Sequence, residues 1–202
     1  MTSTPTPTKS DVAALWVTLI LGVAAAAWTL GHAVRRVAEI IPNRDVPVTA
    51  SFADTPATLP IGPGGTAVDV VAQEVVIRAS GMPPVTLAAL VLAEVVYTLA
   101  VVATIALVCL IIRNIIRGHA FSRSTVRYVS AATLVVAIGW ALTSLFATMG
   151  ANGAASTLAQ GHSVNTLLPI GPVVLFAIAS MGALAAAFQI GHKLQREAEG
   201  LI

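Results

Sequence analysis

The feature that most constrains this chain is a run of 65 residues, from Tyr128 to His192, without an aspartate, glutamate, lysine or arginine. A soluble domain covers its surface with polar groups and is about 25% charged. Only 10% of this chain is charged, 56% is hydrophobic, and its mean hydropathy is +0.87. The run therefore predicts segments that are surrounded by lipid rather than by water.

Four stretches have the length and composition of transmembrane helices. A bilayer core about 30 Å thick is crossed by about 20 apolar helical residues, because lipid offers no partner to an unpaired backbone group. The uncharged run is too long for one helix, and a stretch of small and polar residues divides it. The sequence thus predicts an all-α membrane protein, a four-transmembrane-helix bundle. The predicted order is a disordered cytoplasmic tail at 1–11, helices at 12–34, 84–112, 128–149 and 168–190, an extracytoplasmic segment at 35–83, an arginine-rich cytoplasmic loop at 113–127, an outer loop at 150–167 and a cytoplasmic tail at 191–202.

The first apolar stretch has an alternative interpretation as a signal peptide, because Lys9 precedes it and small residues occur within it. The apolar core of a signal peptide is roughly 7–15 residues long. The stretch at 12–34 continues beyond that length, which favours a retained transmembrane helix.

Small residues recur at helix-packing spacing within two of the predicted helices. The pairs are Gly22/Ala26 in the first helix and Ala179/Ala183 and Gly182/Ala186 in the fourth. Because small side chains let two helix backbones approach closely in lipid, these pairs predict helix contacts.

The segment between the first two helices differs in kind from the rest of the chain. The segment from Pro42 to Pro84 contains seven prolines, including these two. β-Branched residues are frequent at 46–52 and 67–78, and the intervening Pro60-Ile61-Gly62-Pro63-Gly64-Gly65 has the composition of a turn. A small β-hairpin is therefore predicted. Since two strands alone are marginally stable in water, the hairpin should rest on the bundle or on a partner.

Lysines and arginines predict the orientation of the chain, because they are enriched in short cytoplasmic loops. The arrangement with both termini in the cytoplasm places seven of them inside and four outside. The inner set is Lys9, Arg113, Arg117, Arg123, Arg127, Lys193 and Arg196, and the outer set is Arg35, Arg36, Arg44 and Arg78. Arg35 and Arg36 conflict locally with this orientation, since they directly follow the first predicted helix.

Glu94 is the only charged residue between positions 79 and 112. An ionisable side chain at mid-bilayer costs roughly 2.5–3.5 kcal/mol on insertion scales, so such a residue is a candidate for function. Counting about 20 residues back from Arg113 places Glu94 at the outer edge of the hydrocarbon, and His32 should reach the same level on the first helix. We expect a polar, outward-facing proton or cation site made of Glu94 and His32. The alternative is an interfacial carboxylate that is wetted by water.

Four arginines lie within one short predicted loop, at positions 113, 117, 123 and 127. Each arginine contributes about 1 kcal/mol of attraction close to an anionic membrane surface. Arg113, Arg117, Arg123 and Arg127 therefore predict a contact with lipid headgroups or with a partner protein. The alternative is that they only fix the orientation of the chain.

Nothing in the sequence indicates catalysis. The motifs G-x-x-x-x-G-K, H-E-x-x-H and G-x-S-x-G are absent, and no cysteines and histidines have metal-binding spacing. We therefore predict no catalytic residues, no metal site, no cofactor and no enzymatic activity. Eleven basic against nine acidic residues is not the charge pattern of a nucleic-acid-binding protein, so direct nucleic-acid binding is not expected.

Two segments resemble the bacterial DUF2975 family of four-helix integral membrane proteins, a family of unknown function. One is Gly118-His119-Ala120-Phe121-Ser122, followed by Val126-Arg127 and Gly139-Trp140, and the other is the closing segment from Gly191 to Ile202. The resemblance implies four spans, a non-cytoplasmic segment between the first two, and residence in the bacterial plasma (inner) membrane. It supplies no catalytic residues. Members are often encoded beside a small helix-turn-helix regulator, which implies a cytoplasmic partner of that kind.

Two classes of function follow from these features. The first is a non-enzymatic regulatory or accessory protein that acts through contacts with membrane lipids, a cytoplasmic regulator or another membrane protein. The second is a small transporter or channel with a polar site near Glu94. The predicted spans consist almost entirely of alanine, valine, leucine and isoleucine, which favours the first class because a transporter needs a polar path.

Overall fold

Four long helices and one β-hairpin make up the residues that the computed structural model describes, which are 9–118, 122–159 and 172–199. The elements in chain order are α1 (Lys9–Ile40), β1 (Val46–Leu59), β2 (Val68–Ala79), α2 (Pro84–Ile116), α3 (Arg123–Leu158) and α4 (Pro172–Glu199). The predicted fold class is confirmed, with four long helices and a small sheet between the first two.

Each of the four helices contains a stretch that is long and apolar enough to cross a membrane. These stretches are Ala13–Ile40, Pro84–Ile116, Arg123–Leu158 and Pro172–Leu194. At most 17% of the most apolar part of any of them is buried within the chain, and large side chains such as Trp16, Trp28 and Phe176 are exposed. Apolar surface this extensive requires an apolar surrounding, because a soluble monomer rarely exposes large apolar patches.

The chain divides into two compact units, and the first is a helix bundle. This bundle unit comprises the described parts of 1–33, 96–141 and 170–202. A side chain added at Gly22 of α1 would lie 3.3 Å from Ile105 of α2, and one added at Gly139 of α3 would overlap Ala100 of α2. The hydroxyl of Thr133 on α3 donates to a backbone carbonyl of α4 at 3.3 Å. Helices that follow one another in the chain are therefore packed neighbours in this unit.

The second unit joins the hairpin to the ends of three helices. This hairpin unit comprises 34–95 and the described part of 142–169. Its core contains side chains from both strands and from all three helix ends: Ile40, Val46, Val48, Ala50, Ala79, Met82, Leu90, Ala151 and Ala154. As predicted, the hairpin rests on the helices, because two strands cannot bury enough apolar surface by themselves.

The hairpin is an antiparallel pair in which Val46 lies opposite Ala79 and Leu59 lies opposite Val68. A short 3-10 turn at Pro63–Gly65 joins the strands. Gly64 and Gly65 have φ angles of 71° and 80°, a conformation that glycine adopts without the steric cost of a side chain. The hairpin prediction is confirmed, but β1 is longer than the predicted 46–52. The strand continues through Pro56 because a proline is tolerated on an edge strand.

The structure corrects the end of the third helix. The sequence assigned 150–167 to an outer loop, whereas α3 continues to Leu158. Side chains added at Gly150 and Gly153 would overlap Leu90 and Thr86 of α2. These glycines permit close helix packing, which outweighs their poor helix propensity. Residues 160–167 of the predicted loop lie outside the described residues.

The small-residue pairs have different surroundings in the two helices. Gly22 packs against α2, as the spacing predicted. No atom lies within 4 Å of a side chain added at Gly182, so α4 makes no close contact at that position within the described part of the chain.

Candidate functional site

Arg36 is the centre of a polar cluster at the hairpin unit, where it contacts three elements at once. Its side chain is only 19% exposed. Within α1, Nη1 donates to Oε2 of Glu39 at 3.2 Å. Nε lies 3.7 Å from Oε1 of Glu94 on α2, and Nη2 donates to the backbone carbonyl of Pro47 on β1. Arg36 therefore fastens the hairpin and α2 to the end of α1.

Glu94 lies on α2 with a side chain that is 23% exposed. Its carboxylate forms an ion pair with Arg36, whose guanidinium supplies five donors and so can serve several oxygens at once. Removing one partner of a largely buried ion pair leaves the other charge uncompensated, which is the more costly state. The arrangement is thus suited to holding helices and hairpin together.

His32, the predicted partner of Glu94, is exposed on α1 one helical turn before Arg36. The ion pair that the structure shows for Glu94 is with Arg36. The joint site of Glu94 and His32 stays a prediction.

The sequence interpretation missed Arg36, although it contained a signal for it. Arg35 and Arg36 opposed the predicted orientation, because arginines prefer the cytoplasmic side. Both arginines follow the first helix on the non-cytoplasmic side, at about the depth estimated for the isolated Glu94. An arginine at this depth could have been predicted to form an ion pair with that glutamate. Arg35, by contrast, is exposed.

Hydrogen bonds of Asn43 form a second connection between the end of α1 and the start of α2. Its side-chain amide donates to the carbonyl of Met82 at 3.0 Å and accepts from the Met82 amide at 2.9 Å. The carbonyl of Asn43 accepts from Gly81 at 3.1 Å. Asn43 has a φ of 51°, and asparagine is one of the few residues that tolerate this conformation at a helix end. These hydrogen bonds link the residues that follow α1 to the residues that precede α2, at the base of the hairpin.

The four arginines of the predicted loop form an exposed basic surface in the bundle unit. Arg113 lies in the last turn of α2 and Arg117 just beyond it, while Arg123 and Arg127 lie in the first two turns of α3. All four are exposed, and no ion pair between them and an acidic residue occurs within the described ranges. No acidic residue occurs in the sequence between Glu94 and Glu197, so the two helix ends themselves carry no negative side chain. His119 and Phe121 lie outside the described residues.

A cluster of hydroxyl groups fixes the two helix ends that carry these arginines. The amide of Asn114 on α2 donates to the hydroxyls of Ser124 and Thr125 on α3, both at 3.0 Å. The hydroxyl of Ser122 accepts from the Thr125 amide at 3.3 Å and so caps α3. Thr125 is fully buried. The arginine surface therefore lies on two helix ends that are hydrogen-bonded to each other.

Two acidic residues of the hairpin unit, Asp45 and Asp69, contact other side chains of the same unit. No group of three histidine, cysteine, aspartate or glutamate side chains suited to a metal ion occurs in the part of the chain that the structure describes. Asp45 instead pairs with Arg78 at 2.8 Å, with both side chains largely exposed. Asp69 accepts a hydrogen bond from Thr58 at 3.3 Å.

Helices of membrane-spanning length with exposed apolar surfaces define this chain as a multi-pass α-helical membrane protein with a β-hairpin between its first two helices. The model of one family, described as a protein of unknown function (DUF2975), matches residues 66–202. The chain belongs to this family, as the sequence resemblance predicted. No curated protein and no solved structure matches the chain.

Proposed function

We propose that this protein is a non-enzymatic regulatory or accessory protein of the bacterial plasma membrane and that its basic surface binds anionic lipid headgroups on the cytoplasmic side. The observation that carries the proposal is a set of four exposed arginines that form no ion pair with the described acidic residues: Arg113, Arg117, Arg123 and Arg127. Arginine recognises phosphate oxygens with a planar fork of donors. Four such groups at the end of two membrane-length helices match the chemistry of a phospholipid headgroup layer.

The hydrogen bonds between the two helix ends support a binding role beyond orientation. Arginines that only set the orientation need no fixed arrangement, because the positive-inside bias depends on their number near the membrane. Here the Asn114 hydrogen bonds hold the last turn of α2 against the first turn of α3. A fixed arrangement of cations lowers the entropic cost of binding a headgroup.

The transporter alternative rests on Glu94. The carboxylate of Glu94 lies 3.7 Å from the guanidinium of Arg36, which also pairs with Glu39. A carboxylate oxygen that faces a guanidinium is less available to a transported cation than an unpaired carboxylate is. This arrangement favours a structural role for Glu94 and, with it, the regulatory or accessory class.

Lipid retention tests the proposal directly. The full chain is reconstituted in nanodiscs of zwitterionic lipid with a minor fraction of phosphatidylglycerol, and native mass spectrometry counts the anionic lipids that stay bound. The variant Arg113→Gln/Arg117→Gln should lose about 2 kcal/mol of headgroup attraction, which corresponds to roughly 30-fold weaker retention.

The matched control removes two exposed arginines from the hairpin unit, in the variant Arg35→Gln/Arg44→Gln. It should retain anionic lipid as the unmodified chain does. Equal retention by all three proteins would leave the arginines with an orientation role only and would refute the lipid-binding proposal.

A further inference from the structure

The contact between the ends of α2 and α3 fixes the directions in which their side chains point. The two helices run antiparallel, because Ala100 lies against Gly139 while Asn114, further along α2, bonds to the start of α3. The Asn114 amide donates to Ser124 and Thr125, both at 3.0 Å, so these residues face each other across the helix pair. Each further residue turns the side-chain direction by about 100° around its helix axis. The directions of the arginines follow from this rotation.

All four arginines point to one side of the helix pair. Viewed from the helix ends that carry them, Arg113 and Arg117 lie about 100° and about 60° clockwise from the direction in which α2 faces α3. Arg117 continues the last turn of α2, since its amide donates to the Arg113 carbonyl at 3.2 Å. Arg123 and Arg127 lie about 150° and about 110° anticlockwise from the direction in which α3 faces α2. Because the two helices face each other, both rotations lead to the same side, which we call the arginine side.

The other two helices of the bundle unit lie elsewhere. Thr133, whose hydroxyl donates to α4, lies about 130° clockwise from the direction in which α3 faces α2, opposite in sense to the arginines. Ile105, which lies 3.3 Å from a side chain added at Gly22 of α1, is about 180° from Asn114 and so on the far side of α2. Within the described part of the bundle unit, these contacts of α1 and α4 leave the arginine side uncovered.

Exposed apolar side chains continue the arginine side towards the centre of the bilayer. Leu134 and Ile138 follow Arg127 by about two and about three helical turns, and both lie on the same side of α3. Leu99 lies on the corresponding side of α2, and all three apolar side chains are largely exposed. An acyl chain can lie along these residues while its headgroup meets the arginines. This combination fits a lipid better than it fits a soluble anion.

We propose that the arginine side binds one lipid that carries two phosphate groups in a single headgroup, as cardiolipin does. The inference rests on the proposed binding of anionic headgroups and names the headgroup. Arg113 pairs with Arg117 and Arg123 pairs with Arg127, one helical turn apart on each helix, so each pair can hold one phosphate. The hydrogen bonds of Asn114 keep the two helix ends side by side, about 8–10 Å apart between the helix axes. One such lipid thus fills both pairs.

Two linked phosphates have an advantage over two separate lipids. Once the first phosphate is bound, the second is held close to the other arginine pair, which raises its effective concentration there. Phosphatidylglycerol has one phosphate in each molecule and lacks this advantage. We therefore expect cardiolipin to be retained on the order of tenfold more strongly than phosphatidylglycerol when the two are compared at equal anionic phosphate.

Lipid retention in nanodiscs measures this preference. The full chain is reconstituted in zwitterionic lipid with a minor fraction of either cardiolipin or phosphatidylglycerol, and native mass spectrometry counts the anionic lipids that stay bound. Because both faces of a nanodisc carry the same lipids, the result does not depend on the orientation of the chain. The ratio of cardiolipin retention to phosphatidylglycerol retention is the quantity compared between variants.

Removing either arginine pair should abolish the preference rather than halve it. Two variants each lack one pair: Arg113→Gln/Arg117→Gln and Arg123→Gln/Arg127→Gln. Each variant loses the attraction of two charges for both lipids, but only cardiolipin loses in addition the advantage of linkage. The retention ratio should therefore fall from about tenfold to about one in both variants.

The variant Arg35→Gln/Arg44→Gln, which removes two exposed arginines of the hairpin unit, is the matched control and should keep the ratio. A ratio that persists after one pair is removed would overturn the two-phosphate site. Equal retention of both lipids by the unmodified chain would also overturn it, but would leave the proposed binding of anionic headgroups intact. Retention of neither lipid would refute both proposals.

Inorganic pyrophosphate distinguishes a lipid from a soluble diphosphate. It joins two phosphates without acyl chains, so it cannot use the apolar side chains beside the arginines. Added to the nanodiscs in an amount equimolar with cardiolipin, it should leave the retained cardiolipin unchanged. Displacement of cardiolipin would assign the arginine side to a soluble diphosphate and overturn the lipid proposal.

Discussion

Replacing Gly139 by alanine should weaken the contact between α2 and α3. A methyl group at Gly139 would overlap the side-chain carbon of Ala100. That carbon is attached directly to the α2 backbone, so only movement of the helices can relieve the overlap. Gly182 on α4 is the matched control, because it is also a helical glycine but has no atom within 4 Å of an added methyl group.

The expected magnitude follows from two opposing terms. Alanine is favoured over glycine in a helix interior by about 0.5–1 kcal/mol, and this gain applies to both positions. Overpacking a close contact costs about 1–3 kcal/mol, and this cost applies only at Gly139. The Gly139→Ala protein should therefore be about 1–3 kcal/mol less stable than the Gly182→Ala protein. Gly150→Ala should fall between them, since the overlapping Leu90 side chain can turn aside.

Unfolding in mixed micelles measures this difference. The denaturing detergent fraction is raised stepwise while the fluorescence of Trp140, next to the substituted position, reports the separation of the helices. Both variants are compared under identical conditions, so that the reference state is shared. A Gly139→Ala protein as stable as the Gly182→Ala protein would show that α2 and α3 are not in close contact at this point.

Four further substitutions test the polar contacts. Arg36→Met removes the contacts to the hairpin and to Glu94 together and should destabilise the hairpin unit by about 1–3 kcal/mol, measured by hydrogen exchange of the β1 amides. Glu94→Gln should cost less, because the contact between Arg36 and the hairpin remains. Equal effects of the two substitutions would contradict the role assigned to Arg36. Asn43→Gly keeps the backbone conformation but loses both side-chain hydrogen bonds, so it should lower the stability in thermal unfolding by about 1–3 kcal/mol. Unchanged stability would show that the hydrogen bonds between Asn43 and Met82 do not stabilise the hairpin unit. Asn114→Ala should cost about 0.5–1.5 kcal/mol and speed hydrogen exchange at Thr125, and unchanged exchange would show that the capping hydroxyls suffice.

The hairpin shows how far sequence reasoning reached. Turn residues at 60–65 between two β-branched stretches predicted both strands, because turn chemistry and strand preference act locally. The sequence interpretation ended the first strand at Phe52, whereas the pairing continues to Leu59. Strand length depends on the partner strand, and β2 supplies partners up to Val68.

The candidate sites show the same limit. The basic surface was identified from the spacing of Arg113, Arg117, Arg123 and Arg127, since neighbours in the chain stay neighbours at a helical turn. The Arg36 contacts join residues that are far apart in the chain, and only the folded arrangement of α1, β1 and α2 brings them together. Glu94 was recognised as unusual because a single charge in an apolar stretch is visible without a structure.

Composition and hydropathy were sufficient to determine that four stretches of this chain become membrane-length helices, because the preference of an apolar helix for lipid depends on the residues of that helix alone. Tertiary structure decided where α3 ends and which arginine meets Glu94. Each of these depends on the fit between surfaces that are distant in sequence. Gly150 and Gly153 have the composition of a loop when considered alone, and they become helical because Leu90 and Thr86 lie against them.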